Sequence, residues 1–463
     1  MWRRGVVRAH GPNAYDFSHG KIREAAYRAL GPAQARHHHI RVADALQRGH
    51  VADLDSVSGQ IAAHHEAAGA IEAAIDWHVR AAQAAQRLHA SGDATRSLER
   101  ALVLVRELPA GRQRDRLELV LLTQLPAPLV AVEGYLSGRV ADVHERALAL
   151  ASALDVEPEP PLVRSLALAT LTRGDFEGAR PFGEQLRARA ERDGDDVLWV
   201  ESAYVLGVAA YWQGRLEDAR EEFEAALKRY RPEHRLGHLL RYGQDPRVFC
   251  HMRLAHTLWL LGRGDDAGRA RAEALAFATQ TGHPYSRAVA LVFAVLLALD
   301  QGDEDRFRQY ANELRCDQSA LEARPNRSGA EAFAAFIDLL DGRTEQGVER
   351  IGLAAADARR EGPAAPGHAG FLMRLLVEGL ARAGDAKAGL VAADEALAMG
   401  GGVQLWEAEI RRLRASFLDA LGAAPAEVEA ELVRAIEIAE RQRARPFELR
   451  ARESLERLRT RSP

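Results

Sequence analysis

The segment WVESAYVLGVAAYWQGRLEDAREEFEAALKRY, residues 199–230, decides the fold. It contains two stretches with apolar faces at helical spacing, separated by Gly214 and a short charged turn. The small residues Gly207 and Ala219 would let the two helices approach closely, and Phe223 would fill the groove between one repeat and the next. The segment therefore predicts a pair of packed helices.

A glycine closes the same kind of helix pair repeatedly along the chain, at Gly174, Gly214, Gly262, Gly302, Gly342, Gly384 and Gly422. The successive separations are 40, 48, 40, 40, 42 and 38 residues. A period of this size is typical of a stacked-helix solenoid. The order of Gly207, Gly214, Ala219 and Phe223 favours long tetratricopeptide-like units. A HEAT-type array, at about 40–47 residues per unit, is the alternative.

The predicted fold is an all-α, right-handed, tetratricopeptide-like solenoid of about eight helical hairpins, preceded by a small N-terminal β-hairpin and helices. The predicted regions are a β-hairpin with two helices (1–50), irregular helical repeats (51–160), regular repeats (161–443) and a C-terminal capping helix (444–463). In the capping helix, Leu449, Leu455 and Leu458 are expected to point inward.

The first fifty residues differ from the rest. Residues 6–10 and 14–17 flank the turn Gly11-Pro12-Asn13 and predict a short β-hairpin. Ser18 would cap a helix over about residues 19–30, and a second helix would follow over about 33–47. Because an isolated two-stranded hairpin is marginal in water, this segment is interpreted as the end of a domain whose earlier helices are absent.

The charge balance argues against a general nucleic-acid-binding surface, because 62 Lys and Arg face 66 Asp and Glu, a net charge of −4. Residues 1–50 carry nine Lys and Arg against three acids, a local charge of +6. Contact with an acidic partner domain is favoured there over DNA binding. The arginines crowded near the C-terminus alternate with glutamates, which is typical of a solvated, ion-paired helix face.

Three features indicate a cytoplasmic protein. Cys250 and Cys316 are too few and too far apart for a disulfide framework, so free thiols are expected. No signal peptide follows Trp2-Arg3-Arg4. The longest apolar run, residues 288–299, is shorter than the roughly 18 residues of a membrane span and predicts a buried helix.

Several stretches resemble one family of large proteins: YDFSH (15–19), IREAAY (22–27), AHHEAAG (63–69), RYGQDP (241–246), LWLLG (258–262), WEAE (406–409) and ELRA (448–451). They look like the C-terminal tetratricopeptide-repeat region of bacterial AAA-type signalling ATPases, with the end of the preceding winged-helix segment. Relatives of that kind often carry an adenylate or guanylate cyclase domain or a DNA-binding domain. The resemblance covers essentially the whole chain, and residues 242–246 are its most specific part.

The resemblance implies that residues 1–50 are a winged-helix remnant and that the chain is the carboxy-terminal half of such a protein, encoded alone or truncated upstream. ATPase chemistry needs the phosphate-binding loop G-x-x-x-x-G-K-[ST]. The only Gly-Lys pair, Gly20-Lys21, has Tyr15 in place of the first glycine and Ile22 in place of the hydroxyl. The chain is therefore not expected to be an enzyme.

Its expected function is a protein-interaction and regulatory scaffold whose partner is a protein or peptide, including an upstream ATPase or cyclase. DNA and membrane partners are not expected. The alternative is that the chain is part of an ATP-dependent transcriptional regulator or nucleotide cyclase whose catalytic domains are encoded upstream.

No metal, cofactor or catalytic site is predicted. His37-His38-His39 are adjacent in a helix, so their side chains diverge, whereas helical metal pairs stand four residues apart. His64-His65-Glu66 and His144-Glu145 lack a second histidine at the spacing of H-E-x-x-H. Cys250 has no evident activating acid.

The candidate partner-binding residues follow from the geometry of such arrays, whose first helices line a concave groove. They are Tyr204, Tyr211, Met252, His256, Trp259, Arg374, Glu378, Arg412 and Asp419. The aromatic and Met positions suit apolar peptide segments, and the later positions predict a polar stretch of the groove. The alternative is that Tyr211 and Trp259 belong to the core between repeats.

Overall fold

The structure is a computed structural model that describes residues 7–9, 15–17, 19–317, 324–360 and 366–461. These residues are overwhelmingly helical, which confirms the all-α prediction. They group into two compact units, Met1–Leu121 and Leu122–Pro463. Each unit is described by itself. The predicted region boundaries, at 50, 160 and 443, and the right-handed sense of the array stay predictions.

The first unit begins with two short strands, β1 (Val7–Ala9) and β2 (Tyr15–Phe17). They pair antiparallel, with Val7 opposite Phe17. The predicted turn at residues 11–13 and the predicted cap Ser18 lie outside the described residues. Helices α1 (Gly20–Arg28) and α2 (Pro32–Gly49) follow close to their predicted positions.

Four more helices belong wholly or partly to the first unit: α3 (Ser58–Ala67), α4 (Ile71–Arg87), α5 (Ser91–Val105) and α6 (Arg112–Gln124), which crosses into the second unit. Gly69, with φ +75°, makes the turn between α3 and α4 as predicted. Ala74 and Ala81 are buried on α4, where small side chains allow close helix contact.

The second unit opens with three helices, α7 (Pro126–Glu133), α8 (Gly138–Leu154) and α9 (Pro160–Thr172). The later helices are α10 (Phe176–Asp193), α11 (Asp196–Trp212), α12 (Leu216–Arg229), α13 (Arg235–Tyr242), α14 (Pro246–Leu260), α15 (Gly264–Thr281), α16 (Pro284–Gln301), α17 (Glu304–Cys316), α18 (Arg324–Leu340), α19 (Thr344–Arg360), α20 (Pro366–Ala383), α21 (Ala386–Ala398), α22 (Glu407–Ala420), α23 (Pro425–Gln442) and α24 (Arg445–Arg461).

From α9 onward, consecutive helices form hairpins that stack on their neighbours. Two helices lie outside these pairs: α13, between α12 and α14, and α24, after α23. The predicted turn glycines all have positive φ, between +69° and +87°: Gly174, Gly214, Gly262, Gly302, Gly342, Gly384 and Gly422. Glycine adopts this left-handed conformation at little cost, so it ends the first helix sharply. The hairpin prediction is confirmed.

Gly207 is the close-contact point of the α11–α12 hairpin. A Cβ atom built there would lie 2.6 Å from Cε1 of Phe223, whose ring is fully buried. The predicted small-residue contact is confirmed, and it shows that Phe223 also fills space within its own hairpin. Gly389 has the same relation to Phe417 in the α21–α22 contact, at 2.5 Å.

We expect Gly207→Ala to lower the free energy of unfolding by about 1–3 kcal/mol, because the added methyl group overpacks the contact with Phe223. The matched control is Gly268→Ala on α15, where a Cβ would meet nothing within 4 Å. That variant should gain about 0.5–1 kcal/mol from helix propensity. Urea unfolding followed by circular dichroism measures both, and equal effects would contradict the packing argument.

The 48-residue separation between Gly214 and Gly262 has a structural cause. A 3-10 turn, Pro232–His234, and helix α13 are inserted between α12 and α14. Helix α13 buries His238, Leu239 and Tyr242. The sequence stretch with the most specific family resemblance, residues 242–246, thus forms the end of an inserted helix and the turn after it.

Helix α16 carries the apolar run 288–299 and is confirmed as a buried helix. It is the one described helix that length and composition would allow to cross a membrane, and 67% of its apolar window is buried inside the structure. A buried core helix can have the same length and apolar composition as a membrane-spanning helix.

The C-terminal part of the second unit folds back on earlier helices. The 3-10 helix Gly400–Trp406 packs on α11 and α20, and α24 packs on α14 as well as α22 and α23. Gln442 lies against Gly214, and Arg443 pairs with Glu217, 226 positions earlier, at 3.3 Å.

The capping helix itself differs from its prediction in one respect. Leu449, expected to point inward, is 45% exposed. The buried face of α24 instead follows Phe447, Ala451, Leu455 and Leu458, which share one side at helical spacing.

Candidate functional site on the inner helix face

All nine candidate partner-binding residues lie on the first helices of their pairs: Tyr204 and Tyr211 on α11, Met252, His256 and Trp259 on α14, Arg374 and Glu378 on α20, Arg412 and Asp419 on α22. Five of them are buried, with exposures of 3% or less: Tyr204, Tyr211, Met252, His256 and Arg374. The structure thus places these five in the interior, where the sequence prediction assumed an open groove.

Tyr204 is buried against Phe249 and Arg164. Tyr211 and His256, in contrast, are buried because the C-terminal segment returns to this face. The 3-10 helix Gly400–Trp406 and α24 cover the inner faces of α11 and α14, which an open array would leave to solvent. Trp259 is half-buried against Phe447, with ring centroids 5.9 Å apart. Asp419 remains accessible, since its side chain is 48% exposed.

Asp300, at the end of α16, is the centre of this interior. Its Oδ2 accepts hydrogen bonds from His256 Nε2 at 3.0 Å and from the indole Nε1 of Trp406 at 2.9 Å. Its Oδ1 accepts from Nη2 of Arg374 at 3.2 Å. Three helices and the 3-10 segment therefore converge on one carboxylate that is 1% exposed.

The electrostatics favour the ionised form of Asp300. Burial raises its pKa, but the hydrogen bond from His256 and the charge of Arg374 outweigh burial and hold the pKa below its ordinary value. A carboxylate can only accept, so Nε2 of His256 donates. In the neutral ring, Nδ1 then accepts from the hydroxyl of Tyr211, 2.6 Å away.

A second carboxylate, Glu409 of α22, joins the same interior. It is 1% exposed and accepts from Arg412 at 2.8 and 2.9 Å. Arg450 of α24 donates to Glu409 at 3.2 Å and to the backbone oxygen of Asp300 at 2.6 Å. The predicted polar stretch of the groove is therefore a set of ion pairs that fastens α22 and α24 to α16.

Arg374 connects the two carboxylates. Besides its bond to Asp300, its Nη1 donates to Glu378 at 3.1 Å, and its Nη2 lies 3.9 Å from Glu409. Burial lowers the pKa of Arg374, but the surrounding carboxylates raise it by more than burial lowers it, so the net shift is upward. The guanidinium stays charged in the core.

A second buried cluster surrounds Arg164 of α9. Its Nε donates to Glu201 of α11 at 2.9 Å, and its Nη2 donates to the side-chain oxygen of Gln244 at 2.9 Å. His238 of α13 lies 2.7 Å from the other oxygen of Glu201. Burial raises the pKa of Glu201, but Arg164 and His238 together lower it below the ordinary value. The contact between His238 and Glu201 thus ties the inserted helix α13 to α11.

A cavity of only about 10 Å³ adjoins Arg164, Tyr242 and Gln244. That volume accommodates about one water molecule. This cluster therefore packs helices together and has no room for a substrate.

The sequence analysis missed Arg164, Glu201 and Asp300. A signal was present, because each is a charged residue in or directly beside an apolar helical run: 162–171, 202–211 and 288–299. A charge on a buried helix face must be paired, so such positions predict buried ion pairs. The 48-residue separation also marked the inserted helix.

The other titratable candidates are accounted for by packing. His37 and His38 are exposed, while Nδ1 of His39 lies 2.8 Å from Nδ1 of His64. Cys250 is fully buried, and burial raises its thiol pKa, which disfavours the nucleophilic thiolate. Among the described residues, no group of three or more His, Cys, Asp or Glu could hold a metal ion.

No family model matches the chain. An uncharacterized protein of Rhizobium meliloti (strain 1021) is 26% identical over 466 residues, covering 98% of this chain. The chain spans 44% of that relative's length.

Solved structures that are similar to this chain include the following two. Cut9 with Hcn1, the APC/C hetero-tetramer, is 12% identical with a TM-score of 0.48, and the match covers 88% of this chain and 76% of that one. A STAND protein with a tetratricopeptide repeat sensor from Pyrococcus horikoshii is 12% identical with a TM-score of 0.41, covering 96% and 59%. TM-scores below 0.5 are too low for these similarities to bear on function.

Proposed function

We propose that this chain is a non-catalytic protein-binding and regulatory module of a bacterial signalling ATPase or cyclase system, acting in the cytoplasm. The observation that supports this most strongly is the chemistry of the inner face. Glu201, Asp300 and Glu409 are fully buried, and each is paired with arginine or histidine. In the described part of the chain, these acids hold helices together, and each is at most 1% exposed to solvent.

Two further points favour the signalling context. The resemblance of residues 241–246 and 258–262 to the repeat region of AAA-type signalling ATPases extends along the chain. The Rhizobium relative is more than twice as long as its matched part, so it has room for additional domains. A regulatory scaffold joined to, or working beside, an ATPase or cyclase accounts for both.

The location of partner contacts follows from burial. Binding at Tyr211 and His256 stays a prediction, and it requires the 3-10 helix Gly400–Trp406 and α24 to leave the inner face. Surfaces already open to solvent need no such rearrangement. We therefore place the partner on the outer surface of the repeats, formed by the second helices of the pairs.

The test starts with the genomic DNA directly upstream of the codon for Met1. We expect an in-frame or adjacent ATPase or cyclase coding region. Its purified product should change its rate of ATP turnover when the 463-residue chain is added, whereas serum albumin at equal concentration should leave the rate unchanged. The chain alone should hydrolyse no ATP and form no cyclic nucleotide above a protein-free blank. Turnover by the chain alone, or no effect on the neighbour, would contradict the proposal.

A further inference from the structure

A groove of about 500 Å³ lies between α15 and α17 on the outer surface of the second unit, with α16 beneath it. Half-buried Leu275 and the exposed Ala272 and Ala276 supply apolar lining, with buried Leu291 beneath them. The charged lining residues are Arg271, Arg287, Arg306 and Glu313, and Tyr310 lines the groove as well. The groove thus combines apolar contact surface with cationic groups.

Arg271 is unusual among the buried arginines. It is 6% exposed, and it forms no ion pair with any described carboxylate. Its described contacts are a hydrogen bond from Nη1 to the side-chain oxygen of Gln301, at 3.3 Å, and the ring of Tyr310, whose centroid lies 5.8 Å from Cζ. The nearby acid, Asp303, is paired with Arg306 instead, at 3.2 Å.

The other buried arginines among the described residues either pair with a buried carboxylate or pack inside the core. Arg164 and Arg374 each bind a buried carboxylate. Arg253 lacks one, but its guanidinium packs in the core against the ring of Phe293, 4.4 Å from its centroid. Arg271 differs because it lines a groove that is open to solvent.

Burial is the main cause that lowers the pKa of Arg271, and the charge of Arg306 lowers it further; Tyr310 and Asp303 raise it, but the net shift is downward. The guanidinium is therefore held in a site that disfavours its charge. A carboxylate entering the groove would supply the missing counter-charge through a charge-assisted hydrogen bond.

The other two arginines of the groove differ in how exposed their ion pairs are. Arg306 pairs with Asp303, and Arg287 pairs with Asp317 at 3.3 Å. The side chain of Asp303 is 30% exposed, and that of Asp317 is only 12% exposed. Because exposed ion pairs contribute little stability, Arg306 is the more available of the two to an incoming anion.

A neighbouring groove provides a comparison. Between α19 and α21 lies a groove of about 510 Å³, lined by Val348, Leu376 and Val391. Its charged groups are Asp385, Lys387 and Glu395, which leave it with one net negative charge. The α15–α17 groove, by contrast, is lined by Arg271, Arg287, Arg306 and Glu313, which leave it with two net positive charges and suit it better to an anion.

We propose that the α15–α17 groove binds an acidic peptide segment of a partner protein, with a carboxylate on Arg271 and apolar side chains on Leu275 and Ala276. The apolar lining favours a peptide over a bare phosphate or a nucleic-acid backbone. This inference rests on the proposed protein-binding function and assigns it a site and a partner chemistry.

The test uses the full chain and a fluorescein-labelled peptide of repeated Glu-Glu-Leu-Leu units, with fluorescence anisotropy as the readout. We expect binding that weakens with added salt, and no binding of the matched Gln-Gln-Leu-Leu peptide. Arg271→Gln should weaken binding about tenfold or more. Arg306→Gln, at an exposed position, should weaken it less. Lys387→Ala in the α19–α21 groove should leave it unchanged.

Thermal unfolding of Arg271→Gln shows whether that variant is folded, and the exposed Arg306→Gln tests the site independently. Equal binding of the acidic and glutamine peptides, full affinity in both arginine variants, affinity weaker than about 1 mM, or preference for a single-stranded oligonucleotide would each overturn the proposal. If the peptide fails to bind but the chain still alters ATP turnover of its neighbour, only the groove assignment is wrong.

Discussion

Replacing Asp300 by Asn should lower the free energy of unfolding by about 3–5 kcal/mol, because it removes the charge that compensates buried Arg374. The amide keeps the size of the carboxylate, so the effect reports charge and hydrogen bonding and not a cavity. The amide nitrogen cannot accept a hydrogen bond, so either the bond from Arg374 or the bonds from His256 and Trp406 are lost. Urea unfolding followed by tryptophan fluorescence measures the change.

The matched control is Asp305→Asn, on the exposed side of α17 only five residues away. A surface change of this kind should stay within about 0.5 kcal/mol. If the two variants unfold at the same urea concentration, the remaining carboxylates Glu378 and Glu409 suffice to neutralise Arg374, and the central role of Asp300 is wrong.

Glu201→Gln should have an effect of similar size, about 3–5 kcal/mol, since it leaves Arg164 charged and 2% exposed without its carboxylate. Glutamine offers one acceptor oxygen in place of two, so the side chain can no longer accept from both Arg164 and His238, which weakens the attachment of the inserted helix α13. Urea unfolding gives the stability change, and hydrogen exchange of the α13 amides should rise more than exchange in α20.

A double substitution tests whether the cost comes from the unpaired charge. Arg164→Met with Glu201→Leu removes both charges and keeps apolar volume in the core. The double variant should lower the free energy of unfolding by less than the sum of the losses in Arg164→Met and Glu201→Leu measured separately, because no buried charge is left without a partner. Strict additivity would mean that Arg164 and Glu201 do not act as a pair.

The hairpin architecture was predictable because its signals are local. Gly174 and Gly262 end helices through backbone geometry that only a few neighbouring residues determine. The close contact at Gly207 follows from a small residue facing an aromatic one on the next helix. Such features depend on spacing within one repeat, so the chain reveals them directly.

The closure of the inner face was not predictable in this way. Trp406 and Asp300 lie 106 residues apart, and no local pattern indicates that they meet. Treating the array as open led to the expectation that Tyr211 and His256 face a groove. Whether the first helices of an array are exposed depends on its curvature, which a repeat pattern does not specify.

The contact between Trp406 and Asp300 also limits how the gene can evolve. Open arrays grow or shrink by duplicating or deleting one hairpin, since each unit meets only its neighbours. Here an extra hairpin between α16 and α22 would move the indole of Trp406 away from the carboxylate of Asp300. Arg374 and Arg450, which both donate hydrogen bonds to Asp300, would then lose a common acceptor residue. The contacts between Asp300 and the later residues Arg374 and Trp406 therefore fix the number of hairpins in this stretch.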